Sequence, residues 1–241
     1  MKPGFSVVIP TRNRPHFLPK AIDSVLAQSL PAVELIIVDD GVGAGAALNG
    51  RTESVKVLDN QERGPVPARN LGVATAQGQW IAFLDDDDWW TDPNYLSRAA
   101  ALFDQGADLC FGDGTMIFSD GHPDLRYAFS ADRRSLEQDN TILISAVSYR
   151  RSLHDRLGDF DEGLPYYWDW DWYLRVARSG AQLRHINSPV TAIRIHGQNM
   201  SGDSLEDERR SNLDAFARKH GLPPLRLKNH LSLLRERPSP P

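Results

Sequence analysis

Residues Phe83 to Trp89 read Phe-Leu-Asp-Asp-Asp-Asp-Trp, so four adjacent carboxylates, Asp85, Asp86, Asp87 and Asp88, directly follow an apolar run. Four such groups repel one another and cannot all be buried and ionised cheaply. A hard divalent cation relieves that repulsion, because Mn²⁺ or Mg²⁺ takes oxygen ligands, often one or two carboxylates together with substrate phosphates. In such a site the cation neutralises a departing diphosphate as a Lewis acid. The plain alternative is a solvated acidic loop. It fits poorly with a buried strand before the aspartates and two tryptophans, Trp89 and Trp90, after them.

Three further groups carry chemistry. Asp39 and Asp40 follow the apolar run Leu35-Ile36-Ile37-Val38. A carboxylate at a strand end can accept a hydrogen bond from a nucleobase N–H or a ribose hydroxyl, and it can equally cap a turn or helix. Trp168-Asp169-Trp170-Asp171-Trp172 lies on a predicted helix. Carboxylates two residues apart do not share a helix face, so Asp169 and Asp171 should differ in role. One, lodged among aromatics in a cleft, would have a raised pKa and serve as general base on an acceptor hydroxyl, while the other orients it or caps the helix. Trp168 and Trp170, with Trp89, suit an acceptor platform, although core packing explains a tryptophan about as often. His196, at the end of a predicted strand, can ligate a metal or donate to phosphate.

The elements that must position these groups alternate. Phe5–Pro10, Glu34–Asp39 and Trp80–Leu84 read as buried strands, short and rich in apolar residues, and the alternating Ser54–Leu58 reads as a further strand. Helical patterns follow from Pro15, over Pro67 to Ala76 and over Pro93 to Phe103, and Gly41 to Gly50 reads as a flexible loop. Alternation of this kind predicts a parallel sheet with helices on both faces. Ligands of such sheets sit at the carboxyl ends of the strands. That rule brings Thr11-Arg12-Asn13, Asp39-Asp40, Asn60 to Asn70 and Asp85 to Asp88 to one crevice. The second half is less regular: 108–118 and 183–195 read as longer strands, Ile142 to Tyr149 is apolar without helical period, and Trp168 to Ala177 reads as a helix. The fold class is α/β: a single Rossmann-like domain with a mostly parallel central sheet. Its expected bounds are 1–205, with a donor half at 1–104 and an acceptor half at 105–205, followed by a basic helical tail at 206–241.

Composition narrows the field. Of 241 residues, 41% are apolar and 24% charged, which suits a globular core. The formal net charge of -5 gives no support to a nucleic-acid partner. The one cysteine, Cys110, sits among apolar neighbours and reads as core. No apolar run approaches the about 20 residues needed to span a bilayer, and no secretory h-region follows Met1. The expected location is cytoplasmic, with peripheral contact at the inner face of a membrane as an option.

Read together and in order, these segments resemble family 2 glycosyltransferases of the GT-A fold over roughly residues 4–202. The similar pieces are Val7 to Arg14, Ile36 to Gly41, Gly64 with Ala68-Arg69-Asn70-Leu71-Gly72, Phe83 to Trp89, Gly158 to Glu162 with Asp169-Trp170-Asp171, and Arg194, His196, Asn199 and Ser201. The resemblance implies an inverting transfer of sugar from a UDP-, GDP- or dTDP-sugar to a hydroxyl acceptor that is a saccharide, lipid-linked or a small molecule. By position it makes Asp39 the nucleobase contact and places Pro10, Thr11, Arg12, Asn13, Asp40, Arg69, Asn70, Asp85 and Asp86 around the donor. Asp85, Asp87 and His196 become metal ligands, and Asp169 the general base with Asp171 its alternate. The rivals are a nucleotidyltransferase and a non-catalytic nucleotide-sugar-binding module. The first usually needs a glycine-rich basic loop, which Pro10-Thr11-Arg12-Asn13 is not. The second needs no Asp169 opposite the aspartate cluster.

From Arg218 to Arg237 there are six lysines and arginines against one acid, Glu236, and Leu227, Leu231 and Leu234 share a helical face. A basic amphipathic helix can lie on an anionic membrane. The plainer reading is a terminal helix packed on the domain or on a second subunit of a homodimer.

Overall fold

The computed structural model describes residues 2–48, 50, 55–196 and 206–236. Ser54, Asn199, Ser201 and the terminal Pro238–Pro241 lie outside the described residues.

Residues of a strand point alternately to its two faces, and the first two strands show what that does here. In β1 (Lys2–Thr11), Phe5, Val7 and Ile9 enter one hydrophobic cluster and Val8 the other. In β2 (Glu34–Asp39), Leu35 and Ile37 join the first cluster, Ile36 and Val38 the second. One face is covered by α1 (Leu18–Leu26), which turns Leu18, Ala21, Ile22 and Val25 inward. The other is covered by α3 (Pro65–Thr75) through Val66 and Val73. Gly72 lets α3 approach: a Cβ there would lie 2.5 Å from Val8 Cγ1. The loop after β2 contains a short helix, α2 (Ala44–Ala47), where the glycine-alanine composition predicts open loop.

β3 (Val55–Asp59), β2, β1 and β4 (Gly78–Phe83) pair in parallel, in that order. β1 therefore has β2 on one side and β4 on the other, so the chain reverses its direction of travel across the sheet there. Such a switch point opens a crevice at the strand ends. Beyond β4 the sheet becomes mixed. β8 (Val147–Arg150) runs antiparallel to β4, and β6 (Leu109–Phe118) antiparallel to β8. β9 (Leu183–Ile195) is parallel to β6. β5, only Trp89–Trp90, closes the edge against β9, and β7 (Leu125–Tyr127) pairs with β6.

Helix α4 (Tyr95–Asp104) buries Tyr95, Leu96, Ala99 and Phe103 on the α1 face. The short helices α5 (Arg133–Leu136) and α6 (Ser152–Leu157) flank α7 (Trp168–Arg178), which buries Trp172 completely against Tyr149, His154 and Phe160. Truncating such a tryptophan costs about 3–5 kcal/mol. Residues read as a tail pack on the domain: α8 (Glu206–His220) puts Leu213 and Phe216 into the α3-side cluster, and α9 (His230–Glu236) puts Leu234 into the other. Leu227 lies in the irregular stretch between these helices and not on a helix with Leu231 and Leu234. Cys110 is buried in the core, and burial pushes its thiol up to about 12. No helix among the described residues is long and apolar enough to cross a membrane.

Candidate active site

The crevice is a cavity of about 700 Å³ running along the strand ends. Its floor is the aspartate run after β4, and four carboxylates are kept there by four different sets of partners. Asp85 accepts from the Arg69 guanidinium, and its backbone N–H donates to Ser145 Oγ at 3.1 Å. Asp86 accepts from Thr11 Oγ1 at 2.7 Å and Arg14 Nη1 at 3.2 Å, which ties the end of β1 to the end of β4. Asp87 Oδ2 is 2.7 Å from Arg14 Nη1 and 2.9 Å from His196 Nε2. Asp88 accepts from Ser145 Oγ at 2.6 Å and the Arg194 N–H at 3.0 Å.

Burial, then the charges of Asp87 and Asp85, pushes the Asp88 carboxyl well above the carboxylate range. Burial and Asp87 likewise push Asp86 up to about 6, against the opposing Thr11 and Arg14. Burial also raises Asp85, with Arg69 acting against it. This is the repulsion anticipated from the sequence. Carboxylate oxygens of Asp85, Asp87 and Asp88 lie within 4.8 Å of one another, an all-oxygen set with the hardness Mn²⁺ or Mg²⁺ prefers. Of the expected trio, Asp85 and Asp87 lie in this cluster together with Asp88, and His196 bonds Asp87 from beside it.

Facing the aspartates is the N-terminal turn of α7. Asp169 lines the cavity; its Oδ2 accepts from Asn140 Nδ2 at 2.9 Å and its Oδ1 from the Trp170 N–H at 2.7 Å. Burial lifts its carboxyl to about 6 against those two hydrogen bonds. Trp168 and Trp170 line the same cavity. The Arg69 guanidinium lies 4.5 Å over the Trp168 ring, and Trp170 donates to Leu136 O at 2.7 Å while stacking on Phe216. Arg69 therefore bridges the aspartate side and the tryptophan side.

Against this geometry stand the comparisons with known proteins. Residues 6–158 match the family described as Glycosyl transferase family 2. The chain belongs to that family. A glycosyltransferase of Bacillus subtilis (strain 168), YwdF, is 35% identical over 96% of this chain and 89% of its own length. A PGL/p-HBAD biosynthesis glycosyltransferase of Mycobacterium tuberculosis (strain H37Rv) is 30% identical over 79% of this chain and 76% of its own. Among solved structures, S. aureus TarS 1-349 in complex with UDP-GlcNAc superposes with a TM-score of 0.72 at 20% identity, over 90% of this chain and 66% of that one. The mannosyltransferase PcManGT of Pyrobaculum calidifontis, in complex with GDP-Man and Mn²⁺, gives 0.65 at 18% identity, over 90% and 63%. Both likenesses are of fold, the GT-A fold.

Within this glycosyltransferase the sequence-predicted residues divide. Pro10, Thr11, Arg12, Asp40, Arg69, all four aspartates of the run, Trp168, Asp169, Trp170 and His196 line the cavity. Five others stand off its wall. Asp39 spends both carboxylate oxygens on the N–H groups of Gly41 and Ala44, at 3.1 and 3.0 Å, and so caps the turn into α2. Its neighbour Asp40 is the strand-end carboxylate in the cavity, held by Asn60 and by the Gly64 N–H at 3.0 Å, with Arg12 Nε 3.9 Å away. Asn13, at φ +55°, accepts from the Val42 N–H. Asn70 pairs with both the N–H and the C=O of Phe160 at 3.0 Å and pins α3 to the segment before α7. Trp89 carries Lys20 Nζ 3.1 Å over its ring and Arg194 at 5.1 Å.

The fifth is Asp171. Fully buried, it binds Arg175 Nε at 2.9 Å, His220 Nε2 at 2.8 Å and Lys219 Nζ at 2.6 Å, clamping α7 to α8. Burial pushes its carboxyl up, but the His220 and Lys219 hydrogen bonds and the Arg175 charge overcome that and leave it at about 2. Three functional neighbours carry no distinct sequence signal: Arg14 between two aspartates, Ser145 between Asp85 and Asp88, and Asn140 on Asp169. Only Arg14 was within reach, since it continues the loop that follows β1.

Proposed function

We propose that this glycosyltransferase moves a sugar from a nucleoside-diphosphate sugar to a hydroxyl acceptor, with inversion, assisted by a divalent cation. The reading extends to this chain what the complexes of TarS with UDP-GlcNAc and of PcManGT with GDP-Man and Mn²⁺ hold. The observation that carries it is the meeting of two unlike acidic sites in one cavity: the aspartate cluster on one wall and Asp169, lifted to about 6, on the other.

Asp40, at the β2 end of the cavity, accepts from the nucleoside. Asp85, Asp87 and Asp88 are the residues that would hold the cation. When bound there it supplies Lewis-acid neutralisation of the diphosphate. Arg69 and His196 donate hydrogen bonds to the leaving group as its charge grows. The acceptor oxygen attacks the anomeric carbon in line, the bond from that carbon to the diphosphate oxygen breaks, and its electron pair leaves with the diphosphate. Asp169 takes the acceptor proton. A carboxylate near 6 is ionised at pH 7 yet more basic than an ordinary one. Trp168 and Trp170 supply an apolar wall for the sugar and acceptor.

A thermal-shift screen of UDP-, GDP-, dTDP- and CMP-sugars with Mn²⁺, Mg²⁺ or EDTA tests this. At 100 times its dissociation constant a true donor adds about 2.7 kcal/mol of stability. One nucleotide class should stabilise, EDTA should abolish the effect, and Asp87→Ala should remove it. Equal shifts with and without EDTA would sink the cation's role, and no shift with any donor would sink the donor reading. The two rivals predict otherwise: a nucleotidyltransferase prefers a nucleoside triphosphate, and a binding module shows the shift without turnover.

A further inference from the structure

The cavity is not closed by the sheet and α7 alone. Its remaining wall comes from the C-terminal segment, where Arg209, Leu213, Arg226, Lys228, His230 and Leu233 all line it. In a chain of net charge -5, the charged members of this wall are basic. They sit on the α7 side of the cavity, with Asp169 and the two tryptophans, where an acceptor enters.

The cations there are not all answered from within the fold. Lys228 is: its ammonium lies 2.8 Å from both Asp139 and Glu236. Arg209 is buried at 5% exposure and donates to Lys228 O at 2.7 Å. Arg210 is exposed, and its guanidinium reaches Leu225 O, the residue next to Arg226. Tyr167 and Arg209 line the same wall as Arg226, and Arg210 is the next residue along α8. Arg226 is exposed, and neither it nor Arg210 has a carboxylate partner among the described residues. A neutral hydroxyl acceptor needs none of this. The guanidinium groups of Arg226 and Arg210, which have no carboxylate partner among the described residues, fit an oxyanion with several acceptor oxygens. One carboxylate is satisfied by one guanidinium, whereas a phosphate offers oxygens to several.

We infer that the acceptor carries a phosphate ester close to its accepting hydroxyl, and that Arg226, with Arg209 and Arg210 behind it, is the specificity-determining contact for that phosphate. The inference rests on the transfer reading above, since it names the acceptor class of the same cavity.

The test uses the full chain with Mn²⁺, saturated with the nucleoside diphosphate that stabilises it, so that the donor site is filled. Glucose 1-phosphate and glucose are titrated separately and followed by tryptophan fluorescence. The phosphorylated sugar should bind about tenfold tighter, the value of one charged hydrogen-bonded contact, and added salt should narrow the gap. Arg226→Gln should erase most of the difference while leaving glucose and nucleotide affinity unchanged, and Arg226→Lys should restore part of it. Equal binding of the two sugars, no binding of either, or an unaltered preference in Arg226→Gln would overturn the inference. A second arm measures co-sedimentation with phosphatidylglycerol vesicles in phosphatidylcholine. Binding lost in Arg226→Gln assigns the phosphate to a lipid headgroup. Sugar-phosphate preference without vesicle binding assigns it to a soluble acceptor. Because nucleotide binding is read independently, its failure would mark the donor reading as wrong rather than the acceptor inference.

Discussion

Asp169 and Asp171 stand two residues apart on α7, carry the same carboxyl group, and behave as opposites. Asp169 faces the cavity with an amide and a backbone N–H for partners, and burial leaves it at about 6. Asp171 faces the body of the protein, where hydrogen bonds from His220 and Lys219 and the charge of Arg175 hold it at about 2. Both lose water, but Asp171 has basic side chains bonded directly to its oxygens, while Asp169 has only the more distant charge of Arg69. Desolvation without a bonded cation stores basicity in a carboxylate, and desolvation with several turns it into a strut.

The largest effect should come from removing the basic one. Asp169→Asn keeps the shape and should lower kcat by about a hundredfold or more, with donor affinity within about twofold by calorimetry. Normal turnover would show that the two carboxylates are not divided in this way. Asp171→Asn should do the reverse. It leaves Arg175, Lys219 and His220 facing a neutral amide and should cost about 2 kcal/mol of stability in urea unfolding, with kcat close to wild type.

Changing pH separates the two again. Below about 6 Asp169 is protonated and cannot take a proton, so kcat/KM should fall on an acid limb near pH 6 in both wild type and Asp171→Asn. For Asp171 the folded pKa is depressed, so its stabilisation is present above the unfolded value near ~3.9 and is lost as pH falls toward about 2. Wild type should therefore lose stability between about pH 4 and 2 more steeply than Asp171→Asn. The smallest effect is Asn140→Ala. Asn140 donates to Asp169 and lowers its pKa, so its removal should move the acid limb upward. A downward move would mean the hydrogen bond has another role.

The sequence carried one half of this molecule better than the other, for a physical reason. β1, β2 and β4 are buried and read as nearly continuous apolar runs, β3 alternates at the sheet edge, and helix patterns follow β1, β3 and β4, so the crevice could be located from the strand ends. β5 is two residues long and has no period to detect. The wall contributed by 222–229 has no regular structure, so its approach to Asp139 and Trp170 leaves no trace in local pattern. Neighbouring residues were separable only in principle: at the end of β2, the rule that successive side chains diverge says that Asp39 and Asp40 differ, without saying which faces the cavity. Asp169 and Asp171 posed the same problem, and the partners that decided it, Asn140, Lys219 and His220, lie at least 29 residues away along the chain.

The long parallel pairing of β9 with β6 has a consequence for how the protein comes into being. Asp87 and His196 are 109 residues apart, and Asp88 and the Arg194 amide 106. The aspartates directly follow the sheet half built from residues 2–83, while two of their partners, Arg194 and His196, arrive on or just after the last strand. Closing a loop of that length brings an entropy cost that only late tertiary contacts offset. We therefore expect pulse-labelled hydrogen exchange during refolding to protect β1 and β4 before β9, with nucleotide binding appearing only in the final phase. Protection of β9 as early as β1 would contradict that order. On this view the newly made chain acquires its shape first and its affinity for ligand last, so a partly folded molecule in the cell would be inert and would not be a wasteful consumer of sugar donor.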